Sequence, residues 1–228
     1  MTPVFEQPVR ALIFDMDGVL IDSNPAHRDA WEVYNRRHGV ETTAAMHQIM
    51  YGKRNDQIIR TFLGQDLSDA DVLAHGEAKE ALYRETVQPR IAGMLVPGVR
   101  RFLAATAGLP LAVATNASRV NLDFILREAE LASFFPVAVD GHQVTRPKPG
   151  PEIYLLAARL LKVDPQACVV FEDSRAGVEA GLAAGMRVVG ISTTHEDLPG
   201  VSLMIRDFDD PSLAAWLNPR VLSACQNL

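Results

Sequence analysis

The stretch Ala11-Leu12-Ile13-Phe14-Asp15-Met16-Asp17-Gly18-Val19-Leu20-Ile21-Asp22-Ser23 decides the architecture. It opens as an apolar run of strand length and meets two carboxylates one residue apart, then a glycine. Residues i and i+2 of a strand share a face, so Asp15 and Asp17, just past the strand end, can approach one pocket. Two like charges held together away from water are costly unless a cation or a shared proton relieves them. A hard divalent cation with oxygen ligands, such as Mg²⁺, is the cheapest relief. Gly18 lets the backbone turn away without a Cβ clash. Taken alone, the stretch reads equally well as a strand followed by an acidic turn, and the rest of the chain decides.

A chain of 228 residues is long enough for one domain, or one and a half, around a sizeable core. Its 48% hydrophobic and 22% charged residues are those of a globular protein. The net charge of −6, with no basic run, argues against nucleic acid as a partner. It does not argue against a phosphorylated small metabolite, because a bound cation inverts the local potential. Cys168 and Cys225 sit in apolar surroundings and form no disulfide framework, which points to a reducing, cytoplasmic setting. Met1 to Arg10 holds no signal-like apolar segment, and no stretch reaches membrane-spanning length, so no membrane association is expected. No internal repeat or low-complexity tract is visible.

Residues 10–15 read as a buried strand, and no strand pattern follows between 22 and 92. Pro25 to Arg37 places Ala26, Ala30, Trp31 and Tyr34 on one helical face. Arg36, Arg37 and His38 close that helix against its dipole, and Gly39 stops it. Two shorter helices are expected over 42–50 and 54–63, broken at Tyr51-Gly52-Lys53, and a longer one over 68–86 behind Ser68. After Pro97-Gly98 helices (99–106, 118–128, 151–161, 175–184, 210–217) alternate with strands (109–114, 137–139, 168–171, 187–191, 201–205). Such alternation implies right-handed crossovers and a parallel, three-layer α/β sheet. These sheets bind ligands at the carboxyl ends of their strands.

Four groups stand at those ends. Asp15 and Asp17 follow the first strand. Thr115-Asn116-Ala117-Ser118 follows 109–114 and offers a hydroxyl, an amide and a helix N-terminus to an anion, although a simple cap by Ser118 explains it more plainly in isolation. Lys148 sits in the stiff loop Arg146-Pro147-Lys148-Pro149-Gly150-Pro151 and could equally be a surface lysine. Glu172-Asp173-Ser174 follows 168–171; capping by Asp173 or Ser174 accounts for one acid but not for a second acidic cluster at the same sheet edge. Together, two acidic clusters suit a metal, and the hydroxyl, amide, helix N-termini and lysine suit a phosphoryl group. That is equipment for phosphoryl transfer, in which an aspartate can serve as nucleophile. No G-K-[ST] P-loop is present, which disfavours a nucleotide-dependent enzyme of that type.

The chain resembles the haloacid dehalogenase superfamily. The likeness rests on four segments in order: Phe14-Asp15-Met16-Asp17-Gly18-Val19, Ala114-Thr115-Asn116, Lys148-Pro149, and Glu172-Asp173-Ser174-Arg175-Ala176-Gly177. It implies a three-layer Rossmann-like core over 1–21 and 93–228, with a small helical cap, 22–92, inserted after the first strand. Within the superfamily the chain is most similar to the sugar-phosphate phosphatase and β-phosphoglucomutase branch. The resemblance makes Asp15 the nucleophile and Asp17 the acid and base. It assigns Thr115 and Lys148 to the phosphoryl oxygens. It places Mg²⁺ on the Asp15 side chain, the Asp17 carbonyl and Asp173, with Glu172 a direct or water-mediated partner. Asn116, His27, Lys53, Arg54 and Asn55 are the expected substrate contacts. Gly52-Lys53-Arg54-Asn55 and Thr115-Asn116-Ala117-Ser118 both depart from the mutase pattern and lean toward a phosphatase. A phosphosugar mutase is the alternative reading, and a phosphoaspartate signalling receiver a more distant one. A monomer or weak dimer is expected.

Overall fold

A computed structural model describes residues 8–50 and 53–217. The strand of the opening stretch, β1 (Ala11–Phe14), is buried along its whole length. Its side chains alternate between two separate cores: Leu12 and Phe14 enter one, Ala11 and Ile13 the other. The same alternation holds in β2 (Leu111–Ala114) and β4 (Cys168–Glu172). A strand covered on both faces must be apolar at every position, which is why these segments read as unbroken apolar runs. With β3 (Val137–Val139), β5 (Arg187–Ile191) and β6 (Leu203–Ile205) they form one six-stranded parallel sheet in the order β3-β2-β1-β4-β5-β6. Phe14 stacks on Phe171 across the β1–β4 pair, with centroids 4.8 Å apart.

One face is covered by α7 (Glu152–Leu161) and α8 (Arg175–Ala183), through Ile153, Tyr154, Ala157 and Val178. The other is covered by α5 (Val99–Ala105), α6 (Arg119–Glu128) and α9 (Pro211–Trp216), through Leu103, Leu122, Ile125 and Trp216. The sheet order reverses its direction of travel at β1: β2 and β3 lie to one side, β4 to β6 to the other. A crevice therefore opens at the carboxyl ends of β1, β2 and β4.

Between β1 and α5 the chain forms α1 (Asn24–Arg37), α2 (Ala44–Met50), α3 (Asn55–Leu63) and α4 (Asp69–Val87), followed by a 3₁₀ segment, Gln88–Met94. These helices have a small core of their own around Trp31, Tyr34, Ile59 and Phe62. Ala26, Ala30, Tyr83, Val87 and Ile91 belong instead to the large core against the sheet. Helix α1 stops at Gly39, which adopts φ +72°, as its sequence predicts. Strands expected to begin at 109 and 201 begin at Leu111 and Leu203. Pro110 lacks an amide proton, yet its carbonyl accepts from Leu12, so the ladder reaches it without making it a full strand residue. Cys168 is a free, buried thiol, whereas Cys225, like Tyr51 and Gly52 of the expected helix break, lies outside the described residues.

Candidate active site

The backbone beyond β1 sets the first two carboxylates. The Asp15 amide donates to the Phe171 carbonyl at 3.0 Å, so pairing with β4 continues to the residue that needs placing. The chain then turns tightly, with the Leu20 amide on the Met16 carbonyl at 2.9 Å. Gly18 has φ +79°, and a Cβ there would lie 1.8 Å from Asp173 Oδ2. Glycine is therefore what allows the two acidic strand ends to close on each other.

Asp15, Glu172 and Asp173 are buried, and each offers a carboxylate oxygen within 4.8 Å of the others. Lys148 is buried between them. Its Nζ donates to Asp15 Oδ1 at 2.7 Å, to Glu172 Oε1 at 2.6 Å and to the Ala114 carbonyl at 3.1 Å, which places all three protons. The Lys148 amide donates to Asn116 Oδ1 at 3.2 Å, tying that loop to the end of β2. Glu172 receives more than Lys148: Tyr154 OH at 2.6 Å on Oε1, and the Asp173 amide, Ser174 amide and Ser174 Oγ at 3.0 to 3.1 Å on Oε2. Asp173 is steadied by Asn24 Nδ2 at 3.0 Å and by the Thr194 hydroxyl.

One ammonium does not offset three buried carboxylates. Burial pushes Asp15 up to about 7 despite the opposing charge of Lys148. Burial, with Glu172 and Asp15 as neighbours, holds Asp173 well above the carboxylate range. Burial opposes the charge on Lys148, but Asp15 and Glu172 outweigh it and raise the ammonium above its ordinary value. An excess of hard oxygen donors with unrelieved negative charge fits a divalent cation.

Asp17 has a different environment. Burial works against its charge, but His27 and the Ser23 hydroxyl, which donates at 2.5 Å, hold it below the usual carboxylate range. His27 Nε2 lies 3.4 Å from Asp17 Oδ1, and the imidazole stacks on Tyr83 at 3.7 Å between centroids. Its Nδ1 is 2.8 Å from Lys79 Nζ. An ammonium only donates, so Nδ1 accepts and the ring proton sits on Nε2, facing Asp17. Lys79 in turn pairs with Glu80 Oε1 at 2.8 Å, in a site nearly closed to solvent.

Asp15, Asp17, His27, Lys53, Arg54, Asn55, Thr115, Asn116, Lys148 and Asp173 all line one cavity of about 930 Å³. Glu172 does not; it is fully buried. Thr115 Oγ1 accepts from the Ala117 amide at 3.1 Å, leaving its proton for a ligand. Of the expected substrate contacts, Asn55 donates to Glu80 Oε1 at 2.6 Å, and Arg54 grips Asp56 with two nitrogens while NH1 donates to the Gly141 carbonyl at 3.1 Å. Gly52 lies outside the described residues.

Residues 9–185 match the family described as haloacid dehalogenase-like hydrolase. The chain belongs to that family. As a haloacid dehalogenase-like hydrolase it is 35% identical over 220 residues to hexitol phosphatase A of Escherichia coli, covering 93% of this chain and 98% of that one. It is 34% identical over 218 residues to protein CbbY of Rhodobacter capsulatus, covering 91% and 95%. The crystal structure of β-phosphoglucomutase from Clostridium difficile superposes with a TM-score of 0.81 over 96% of this chain and 98% of that one; at 22% identity this is a likeness of fold. Among the described residues of this hydrolase, no helix is long and apolar enough to cross a membrane.

Several residues that build the site were not singled out from sequence. Asn24, Thr194, Ser23, Tyr154, Lys79 and Glu80 all touch the residues just described. Thr193-Thr194 follows β5, so the rule that directs attention to strand ends covers it. On α4 the inward face runs Val72, Lys79, Glu80, Tyr83, Val87, at helical spacing, which marks two charged residues as buried.

Proposed function

We propose that this hydrolase is a Mg²⁺-dependent phosphatase that cleaves a small phosphorylated carbohydrate through an aspartyl-phosphate on Asp15. The observation that carries the reading is the buried constellation of Asp15, Lys148, Glu172 and Asp173 beside Asp17, opening into a cavity that also holds Thr115 and Asn116. The phosphatase relative supports the reaction class.

Asp15 attacks phosphorus as the bond to the leaving oxygen breaks, and Asp17 gives that oxygen a proton. Asp17 then takes a proton from a water that attacks the phosphorus of the Asp15 phosphate, releasing inorganic phosphate and restoring Asp15. In the resting site Asp17 is held as a carboxylate, the form the second half requires; an arriving phosphoryl dianion raises its proton affinity for the first. Thr115 and the N-terminus of α6 hold phosphoryl oxygens, and Lys148 joins them by turning its proton from Asp15 Oδ1 to the phosphoryl group as that carboxylate attacks. Asp15, the Asp17 carbonyl and Asp173 would hold Mg²⁺, with Glu172 a partner either directly or through water. When bound, the cation supplies charge neutralisation for the nucleophile and the phosphoryl oxygens together. Residues 22–92 act as a cap over the core of 1–21 and 93–228.

A panel of hexose and hexitol phosphates tests the proposal. Phosphate release with Mg²⁺, abolished by EDTA and restored by Mg²⁺, is the expected result. Release at full rate after EDTA would remove the metal from the account. β-Glucose 1-phosphate with a trace of the 1,6-bisphosphate distinguishes the mutase: efficient formation of glucose 6-phosphate without matching phosphate release would favour it.

A further inference from the structure

Asp15, Asp17 and Asp173 line the cavity, whereas Glu172 lies behind them and is held on every side. Its Oε1 accepts from Lys148 Nζ and from Tyr154 OH, both at 2.6 Å. Its Oε2 accepts from the Asp173 amide, the Ser174 amide and the Ser174 hydroxyl. A carboxylate offers about four lone-pair sites, so these five donors use all of them. Gly177 packs directly against the group: a Cβ there would lie 1.7 Å from Oε1. Glu172 is therefore fixed, and Lys148, an ammonium on a flexible four-carbon stem, is the partner that can move.

Lys148 Nζ is drawn two ways, to Asp15 Oδ1 at 2.7 Å and to Glu172 Oε1 at 2.6 Å. Phosphoryl transfer needs it at Asp15, because that proton is the one that turns to the phosphoryl group. Whatever weakens the pull of Oε1 keeps the ammonium in place. Tyr154, on α7 and fully buried, does this in two ways. Its hydroxyl donates to Oε1 and takes up part of the carboxylate's charge. Its ring centroid lies 4.8 Å from Nζ, so the electron-rich face also attracts the ammonium.

We propose that Tyr154 is a positioning residue for phosphoryl transfer: its hydroxyl shares Glu172 Oε1 with Lys148 and so keeps the Lys148 ammonium poised at Asp15. This rests on the phosphatase reading above and extends it to a residue that does not line the cavity. Without the hydroxyl, Oε1 keeps the ammonium as its only side-chain donor. Nζ then closes on Glu172 and away from Asp15, and the phosphoryl group loses part of a charged donor in the transition state. The Tyr154 hydroxyl bonds to Glu172 and to none of Asp15, Asp17 and Asp173, so the groups that would hold Mg²⁺ keep their places.

The test is Tyr154→Phe, which keeps the ring and removes one oxygen. Steady-state kinetics on the best substrate of the hexose and hexitol phosphate panel give kcat and KM. Calorimetric titration with Mg²⁺ alone gives the metal affinity, and a melting curve reports the fold. The expected result is a kcat lower by about tenfold, with KM and the Mg²⁺ Kd each within about twofold of the wild type. A fall in kcat smaller than about threefold overturns the proposal and leaves the phosphatase reading intact. So does a fall matched by an equal loss of Mg²⁺ affinity, which would make the hydroxyl a support of the metal site. So does a variant that fails to fold, which would make it a support of the core. No phosphate release by the wild type from any member of the panel overturns both.

Discussion

At the scale of single residues the site is governed by how charge is buried. Gly18 is a tight constraint. Gly18→Ala places a Cβ on Asp173 Oδ2 and asks alanine to hold φ +79°. We expect a loss of roughly 1–3 kcal/mol from the backbone alone, with Mg²⁺ affinity falling as well, read by thermal denaturation and a metal titration. Glu80 gives a prediction in pH. Burial would raise it, but Lys79, His27 and the hydrogen bonds from Lys79 and Asn55 bring it down to about 2 from an ordinary 4.5. A depressed carboxylate stabilises the folded state above its unfolded value, and that stability is lost as pH falls through the folded one. Wild-type stability should therefore fall between about pH 4.5 and pH 2 by more than that of Glu80→Gln. At neutral pH the variant, which leaves Lys79 buried without its partner, should be less stable by roughly 3–5 kcal/mol. Equal acid sensitivity of the two proteins in denaturant titrations would rule this out.

At the scale of elements, helix starts separate a serine that caps its helix from one that leaves its hydroxyl to the cavity. Ser174 and Ser118 both stand at N-caps with extended backbone. Ser174 Oγ accepts from the Gly177 amide at 3.1 Å, whereas Ser118 makes no such bond and lines the cavity. Ser174→Ala should cost about 1 kcal/mol in melting experiments, and Ser118→Ala close to nothing. The sequence, in which a cap by Ser118 was the plainer reading, could not tell them apart. The parallel sheet was legible because residues buried on both faces must be apolar, and the strand ends because acids and hydroxyls interrupt those runs. Lys79 and Glu80 were not singled out, since two opposite charges on a polar helix read first as a solvated pair. The packing of Trp31 and Tyr83 around Lys79 Nζ, at 5.0 and 5.6 Å, puts this pair inside, on the face that Val72, Tyr83 and Val87 share with it. Tyr154 was hidden in the same way, as an ordinary core aromatic of α7 whose hydroxyl happens to reach Glu172.

At the scale of the whole molecule, function depends on how the helical block meets the sheet. Arg54, which lines the cavity as an expected substrate contact would, also bonds Asp56 and the Gly141 carbonyl and so ties the two parts together. Asn121 is the strut on the other side, holding Glu80 and Arg84. Asn121→Ala should loosen the docking of α4 on α6 and raise KM by about tenfold, with a smaller fall in kcat, in steady-state kinetics on any substrate the enzyme accepts. The reverse pattern, an unchanged KM with a lower kcat, would place Asn121 in the chemistry instead. All of this serves the carboxylate at the end of β1. The most direct measurement is a rapid acid quench during turnover with Mg²⁺ and a phosphorylated sugar, followed by mass spectrometry of the peptide that contains Asp15. The account predicts one phosphoryl group on Asp15 in the wild type, and neither that adduct nor phosphate release in Asp15→Asn. A phosphoryl group on any other side chain, or phosphate release by Asp15→Asn at the wild-type rate, would contradict it.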